Sequence, residues 1–258
     1  MEWYMYLIII AAGFACGFIN VIAGSGSLVT LPLLIFLGLP ANVANGTNRV
    51  AILMQNIVSV STFHKNKLLN VKHGLYLAVP AILGGIIGAQ IAVDLSEETM
   101  HRVIGGLMAV MLVVIVLRPK RWIKSRMEMD SSKLTLMQVV VFFVIGIYGG
   151  FIQAGVGIFL LMGLLLSVGY DELHANPVKL LIVLCYTVPA LLIFILYDQV
   201  IWTVGLILGI GNMLGAYTAV KLSIKKGNPF IRWILIIVVS FSAVKLLGIH
   251  TYIINLFN

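Results

Sequence analysis

Residues 16–49 of this chain read CGFINVIAGSGSLVTLPLLIFLGLPANVANGTNR, and residues 149–179 read GGFIQAGVGIFLLMGLLLSVGYDELHANPVK. The two stretches are versions of one motif once a gap of two residues is placed at the glycine-rich loop. One constant separation then relates pairs along nearly the whole chain: Gly24 and Gly155, Gly26 and Gly157, Gly38 and Gly169, Asn45 and Asn176, Gly74 and Gly205, and Gly84 and Gly215. An inverted repeat with interrupted apolar segments is typical of a secondary transporter.

The composition indicates an integral membrane protein. Of the 258 residues, 61% are hydrophobic and 10% are charged, which leaves too little polar surface for a soluble particle of this size. Apolar runs of spanning length recur, such as 74–93, 103–117 and 231–247, and in lipid these runs are stable only as helices. The net charge of +8 comes from cations clustered in loops, so we expect it to set orientation and not to bind nucleic acid.

Loop charges predict the topology of the chain in the membrane. The most basic stretch lies between Arg118 and Arg126, and the positive-inside rule makes residues 119–133 a cytoplasmic linker between two halves. Two further basic loops, which contain Lys65 and Lys225, also belong inside. The loops that contain Glu97 and Asp198 lack such clusters and belong outside, together with both termini.

These assignments predict an all-α fold: a polytopic helical bundle of two inverted repeats. The first repeat, residues 1–118, would be a helical hairpin over residues 2–37 followed by three spanning helices. The second repeat, residues 134–258, would begin with a hairpin over residues 134–168 and continue in the same way. Three net crossings per repeat is an odd number, so the copies must be antiparallel. The sequence leaves open whether the hairpin arms span fully or are re-entrant.

The tips of the two hairpins form the first candidate site. They read NVIAGSGS over residues 20–27 and QAGVG over residues 153–157. Glycines let the backbone leave helical geometry, and the exposed amides that start the next helix carry the positive end of its dipole. Ser25 or Ser27 would cap that helix. We expect an anion to bind there, although glycines that merely allow close helix packing are the alternative.

A cation near the start of a spanning helix is the second candidate feature. Arg49 and Lys179 occupy nearly matching positions of the two motifs. If their helices begin near Asn42 and Leu173, each cation lies about 9 Å inside its helix end. A cation at the centre of the membrane costs about 3 kcal/mol unless it faces a polar cavity. We expect these side chains to coordinate or gate an anion; snorkelling to the interface is the alternative.

One motif raises an enzymatic alternative. The AGSG at residues 23–26 nearly matches the GxSG of rhomboid-type intramembrane proteases, with Ser25 as nucleophile. It lacks the first glycine, and the candidate histidine bases stand at predicted loop edges. We therefore expect no enzymatic activity.

Other polar and glycine positions favour structural roles. Cys16 and Cys185 stand alone without metal-ligand spacing, and no carboxylate lies deep in a predicted span, so the sequence indicates no metal and no cofactor. Two small-xxx-small pairs predict helix contacts: Gly84 with Gly88, and Gly211 with Gly215.

The two motifs resemble those of the TauE/SafE family of sulfite exporters, and the resemblance covers essentially the whole chain. It is carried by residues 16–18, by the AGSGS turn at 23–27 and by ANGTNR at 44–49, which ends in the Thr-Asn-Lys/Arg of the family. The resemblance implies a permease for small anions, sulfite and organosulfonates among them. Where the second copy often has Ala-Lys-Leu, this chain has Val-Lys-Leu at 178–180 after an unusual Pro177.

We therefore expect a multi-pass inner-membrane transporter that carries sulfite, thiosulfate or a sulfonate by alternating access. An anion channel is the closest alternative, and a serine hydrolase and a non-transporting assembly subunit are more distant ones. Besides the substrate anion and the lipid bilayer, a homodimer partner is left open. The predicted site lies between the hairpin tips and consists of Asn20, Gly24, Ser25, Gly26, Ser27, Thr47, Asn48, Arg49, Gln153, Gly155, Gly157, Asn176 and Lys179.

Overall fold

The computed structural model of the protein describes residues 3–117 and 134–223, and this part of the chain is built from helices. Within it, the prediction of an all-helical membrane protein is confirmed. Four described helical segments are long and apolar enough to cross a membrane: Tyr4–Ala23, Val71–Val93, Leu173–Leu196 and Trp202–Ser223. The helices are α1 Trp3–Ala23, α2 Ser27–Phe36, α3 Ala41–Lys65, α4 Val71–Val93, α5 Glu97–Leu117, α6 Leu136–Phe151, α7 Val156–Gly163, α8 Glu172–Leu196 and α9 Trp202–Ser223.

The order of the helices follows the predicted repeat as far as the structure describes it. A hairpin of α1 and α2 precedes α3, α4 and α5, and a second hairpin of α6 and α7 precedes α8 and α9. A π-helical turn, Leu164–Val168, continues α7. The predicted linker, 119–133, and the apolar run at 231–247 lie outside the described residues. The opposite orientation of the two halves in the membrane stays a prediction.

Glycines with left-handed backbone break the chain at matching places in the two halves. Gly24 and Gly155, each with φ of 73°, separate the arms of the two hairpins. Gly38 and Gly169, with φ of 92° and 87°, end the second arms. Residues with a Cβ adopt this conformation at a steric penalty, so glycine permits each break. Among the described residues, these four are the glycines with positive φ, and the motif alignment pairs them.

The returning arms of the hairpins are too short to cross a bilayer. The ten residues of α2 rise about 15 Å, against a hydrocarbon core of about 30 Å. The eight residues of α7 and the five residues of the π-helical turn together form an arm only slightly longer than α2, so this arm is also shorter than the hydrocarbon core. The structure thus favours re-entrant arms, the second of the two possibilities that the sequence left open.

Glycine-mediated contacts interlock the two halves. Helix α1 packs against α9, α4 packs against α6, and α3 and α8 contact each other as well as α9 and α4, respectively. A Cβ on Gly84 or Gly88 would collide with backbone carbonyls of α6, and one on Gly211 or Gly215 with those of α1. The predicted helix contacts at both glycine pairs are confirmed. Each half therefore completes its packing with helices of the other half.

The glycine contacts yield a stability prediction with an internal control. We expect Gly88→Ala to lower the thermal midpoint in detergent, because its Cβ would overlap the Ile147 carbonyl and overpacking costs about 1–3 kcal/mol. Gly106→Ala in α5 meets no atom within 4 Å and should keep or raise the midpoint through its higher helix propensity. Equal midpoints for Gly88→Ala and the unmodified protein would show that the α4–α6 contact is not tight.

Candidate functional site

The tips of the two hairpins meet in the interior of the protein. Gly24 and Gly157 pack backbone against backbone, and a Cβ on Gly24 would lie 2.5 Å from the carbonyl carbon of Gly157. Both residues are buried, as are Gly26 and Gly155. The structure therefore brings the four predicted tip glycines to one place, where no side chain stands between the two turns.

Three backbone amides at the two tips have no hydrogen-bond acceptor in the described part of the chain. The amides of Ser25 and Gly26, and that of Gly155 at the other tip, find no acceptor among the described residues. They lie at the N-terminal ends of α2 and α7, where the helix dipole is positive. Such amides are the donors that bind anions at helix starts in other proteins.

The predicted serine cap of α2 is wrong. Gly26 occupies the N-cap position and makes no side-chain cap bond. Ser27 lies inside the first turn, where its hydroxyl faces α3 and accepts a hydrogen bond from Asn48 Nδ2 at 3.1 Å. The Ser25 hydroxyl is buried and has no partner among the described residues.

Arg49 is fully buried and holds the end of the opposite hairpin arm. Its guanidinium donates to the carbonyl oxygens of Gly149 at 3.2 Å, of Gly150, and of Phe151 at 3.4 Å, which are the last residues of α6. The guanidinium carbon also stands 4.6 Å from the ring centroid of Phe194. A cation at a helix C-terminus interacts favourably with the dipole and satisfies carbonyls that the helix leaves unpaired.

Lys179 holds the end of α1, the first arm of the other hairpin. It is 1% exposed, and its ammonium donates to the carbonyl oxygens of Asn20 and Val21, at 3.1 Å each, near the end of α1. Each cation thus caps the broken helix of the opposite half. The two side chains are buried among helices, so neither snorkels to the interface.

The side-chain amides of the two tips donate hydrogen bonds to side chains of α3 and α8. Asn20 Nδ2 donates to Gln55 Oε1 of α3 at 3.1 Å, and Gln153 Nε2 donates to Tyr186 Oη of α8 at 2.9 Å. Gln55 and Tyr186 stand at the same separation as Gly24 and Gly155, so the two bonds match in the repeat. All four side chains are at most 9% exposed.

Of the remaining predicted residues, one lies at the first hairpin tip and two lie elsewhere. Asn48 joins the first tip, because it bonds to Ser27 and accepts from Thr30 Oγ1 at 2.7 Å. Thr47 points elsewhere, since its hydroxyl accepts from the Ile201 amide at 2.9 Å, where the chain enters α9. Asn176 is half-buried, and its Oδ1 has no partner among the described residues.

Arg49 has no carboxylate partner in the part of the chain that the structure describes. The ion pairs there are the exposed pair of Arg102 with Glu98 and that of His174 with Asp171. The Nε of Arg49 also lacks a partner among these residues, so one donor of the guanidinium stays unused. A buried cation surrounded only by neutral groups is unfavourable unless an anion approaches it. No cluster of metal-ligating side chains occurs among the described residues.

Comparison with known proteins identifies the family. The sulfite exporter TauE/SafE family matches residues 9–246. The chain belongs to the TauE/SafE family. No solved structure matches it.

Curated relatives of the TauE/SafE chain are named as membrane transporters. A probable membrane transporter protein, ORF9, from Sinorhizobium sp is 26% identical over 98% of this chain and 96% of the relative. One from Haemophilus influenzae is 24% identical over 89% of each chain, and YfcA from Escherichia coli strain K12 is 27% identical over 90% of this chain and 85% of its own. The protein is therefore a membrane transporter of this family.

Sequence reasoning missed Gln55 and Tyr186, although a signal for them exists. Both lie about two turns after a cation inside an apolar span, Gln55 after Arg49 and Tyr186 after Lys179. Polar residues at such spacing on a membrane helix indicate a face turned toward the bundle interior. The signal was obscured because α3 carries many polar residues on several faces.

The contact between the tips generates a prediction about transport. Gly157→Val should abolish transport in reconstituted vesicles, because its side chain would displace Gly24 and separate the two tips. Ser25→Ala should keep most of the activity, since the hydroxyl has no partner to lose. Monodisperse purification of both variants is the control for folding. Complete loss of activity in a folded Ser25→Ala variant would contradict this assignment and favour a nucleophilic serine.

Proposed function

We propose that this transporter carries small sulfur-containing anions, sulfite or organosulfonates, and that it does so by alternating access. The substrate would bind where the two hairpin tips meet. The observation that carries the proposal is the fully buried Arg49, which has a free Nε and no carboxylate partner among the described residues. A buried positive charge without a protein counter-ion selects for negatively charged substrates.

The groups around the tips suit an oxoanion. Free amides at Ser25, Gly26 and Gly155 would donate to its oxygens, and the guanidinium of Arg49 would supply charge. Because a guanidinium presents several donors in one plane, it matches the geometry of an anion with several oxygens. The other predicted residues at the tips, Asn48 among them, would orient the donors that touch the substrate.

The capping of α6 by Arg49 and of α1 by Lys179 supports the proposal that the two halves have opposite orientations in the membrane. Arg49 of the first half holds α6, and Lys179 of the second half holds α1, so each half depends on the other in the same manner. The tips touch through Gly24 and Gly157, without interlocking side chains. Such a contact would let one half rock against the other and open the site to each side in turn. In this proposal the membrane is the bacterial inner membrane, with both termini outside.

The structure gives less support to the alternatives. A serine hydrolase needs a base within hydrogen-bond reach of the nucleophile, and the Ser25 hydroxyl has no partner among the described residues. A channel needs a continuous path, whereas Gly24 and Gly157 are in backbone contact. A transporter in an occluded conformation is consistent with both findings.

Sulfite binding to purified protein tests the proposal. Arg49→Gln should weaken the affinity by about ten- to a hundredfold, because hydrogen bonds to charged groups contribute about 1.5–3 kcal/mol. Arg49→Lys should lose less, since it keeps the charge but not the planar group. Thermal midpoints must accompany the affinities, because Arg49 also caps α6.

Arg102→Gln is the matched control for this measurement. Arg102 is an arginine of the same half, but it is exposed and paired with Glu98, so its loss should leave sulfite binding unchanged. Unchanged affinity in a folded Arg49→Gln variant would contradict the assignment of Arg49 as the charge partner of the substrate.

A further inference from the structure

A histidine and a tyrosine form a buried pair where the second hairpin meets α4. His73 Nδ1 and Tyr170 Oη lie 2.7 Å apart, and the two rings stack with their centroids 5.5 Å apart. His73 is 7% exposed and Tyr170 is 2% exposed. Tyr170 follows Gly169, which ends the returning arm of the second hairpin, and His73 lies in the first turn of α4. The pair therefore joins the second half of the chain to the first.

The ring of Tyr170 anchors the end of this hairpin arm. It belongs to a cluster of buried side chains that includes Leu77 of α4 and Val178 of α8. The backbone amide of Tyr170 donates to the Leu164 carbonyl at 3.1 Å, so the ring is tied to the π-helical turn. The loop charges predict that this end of the protein faces the cytoplasm, because the basic loop with Lys65 precedes α4. Release of Tyr170 would therefore free the arm at the cytoplasmic end.

The matching contact of the other half has no titratable group. At the separation that relates Gly24 to Gly155, Leu39 matches Tyr170 and Val204 matches His73. Leu39 and Val204 are buried and belong to one cluster of apolar side chains. Apolar packing is thus sufficient at the end of one hairpin arm, whereas the other arm uses a histidine and a tyrosine. The two ends of the protein therefore differ in the capacity of this contact to bind a proton.

A proton on His73 would destabilise the pair. Protonation turns both ring nitrogens into donors, so Nδ1 could no longer accept a hydrogen bond from the Tyr170 hydroxyl. If Nδ1 is instead the donor, the bond survives protonation, but in either case a positive charge stands in a buried site. The backbone amide of His73 donates to the side chain of the N-cap residue Asn70 at 3.1 Å. The ring therefore lies at the start of a helix, where the dipole disfavours a cation.

No carboxylate is paired with His73 in the part of the chain that the structure describes. Asp171 follows Tyr170, but its carboxylate lies 2.8 Å from His174 Nδ1. Glu172, the first residue of α8, is the acidic residue within the helices that pack around the pair, α3, α4, α6 and α8. Exposed titratable groups on α3, α4 and the turn between them are His64, Lys65, Lys67, Lys72 and Tyr76. The other titratable groups of these helices are Arg49, Tyr148, Lys179, Cys185 and Tyr186. Most of the nearby charges are thus positive, which adds to the cost of a proton on His73.

We propose that His73 is a proton switch, whose protonation from the cytoplasmic side releases Tyr170 and frees the end of the second hairpin arm. The first hairpin arm, held by Leu39 and Val204, does not respond to protons. The release does not depend on which substrate the protein binds. Its consequence for transport rests on the proposed alternating access, in which acid would favour the conformation that is open to the cytoplasm.

Hydrogen exchange of the purified full-length chain tests the switch. A histidine ring in water titrates near pH 6.5, and the test compares one pH unit above and one pH unit below about this value. If the buried ring stays neutral, an opening that exposes His73 becomes about tenfold more favourable at the lower pH. Amide exchange, corrected for the intrinsic rate at each pH, reports that opening. We expect residues 164–171 to exchange about tenfold faster at the lower pH, with residues 33–40 of the other arm unchanged.

A double variant, His73→Phe with Tyr170→Phe, separates titration from packing. It keeps two aromatic rings and removes both polar groups, and such a paired replacement can be nearly neutral for stability. We expect residues 164–171 of this variant to exchange at the same slow rate at both pH values. His174→Gln and Glu172→Gln are the matched controls, because each changes a titratable group close to Tyr170 in the sequence and should keep the acceleration.

The outcomes separate this inference from the proposed function. Equal exchange of residues 164–171 at both pH values in the unmodified protein, or equal acceleration of residues 33–40, would overturn the switch. An acceleration that persists in the double variant, or that disappears in either control, would also overturn it. If the double variant does not fold, the comparison of the two arms in the unmodified protein decides. Failure of the protein to bind sulfite would remove the proposed function without a change in the exchange of either arm.

Discussion

The reciprocal capping of broken helices by buried cations is the interaction on which the rest of this structure depends. A break inside a membrane helix leaves carbonyl groups without partners, and each unsatisfied group in hydrocarbon costs several kcal/mol. Arg49 satisfies the end of α6 and Lys179 satisfies the end of α1, each from the opposite half of the chain. The breaks are therefore stable only when the two halves are assembled.

The breaks in turn create the polar centre of the protein. Gly24 and Gly155 adopt left-handed backbone, and the helices that restart beyond them leave their first amides free. Those amides and Arg49 give the centre a positive potential that the described residues do not neutralise with a carboxylate. In the proposed function, the same elements that let the chain fold would also select the sign of the charge that binds there. An anionic substrate would stabilise the assembled tips and the capped helices together.

Much of the fold could be predicted from the sequence, because its determinants are local. The paired glycines located the breaks, and the motif placed the starts of two helices near Asn42 and Leu173, where α3 begins at Ala41 and α8 at Glu172. The partners of Arg49 could not be predicted in the same way. They are backbone carbonyls of α6, a hundred residues further along the chain, and carbonyls carry no sequence signature. The roles of Gln55 and Tyr186 depend on the same long-range packing.

The position of a bound anion tests the central claim most directly. Selenite has the shape and charge of sulfite and scatters X-rays anomalously, so crystals grown with it would locate the anion without interpretation of weak density. We predict one anomalous peak between the tips, within hydrogen-bond distance of Arg49 Nε and beside Gly24 and Gly157. Peaks found only at the basic loops, with the tips unoccupied at saturating selenite, would contradict the account.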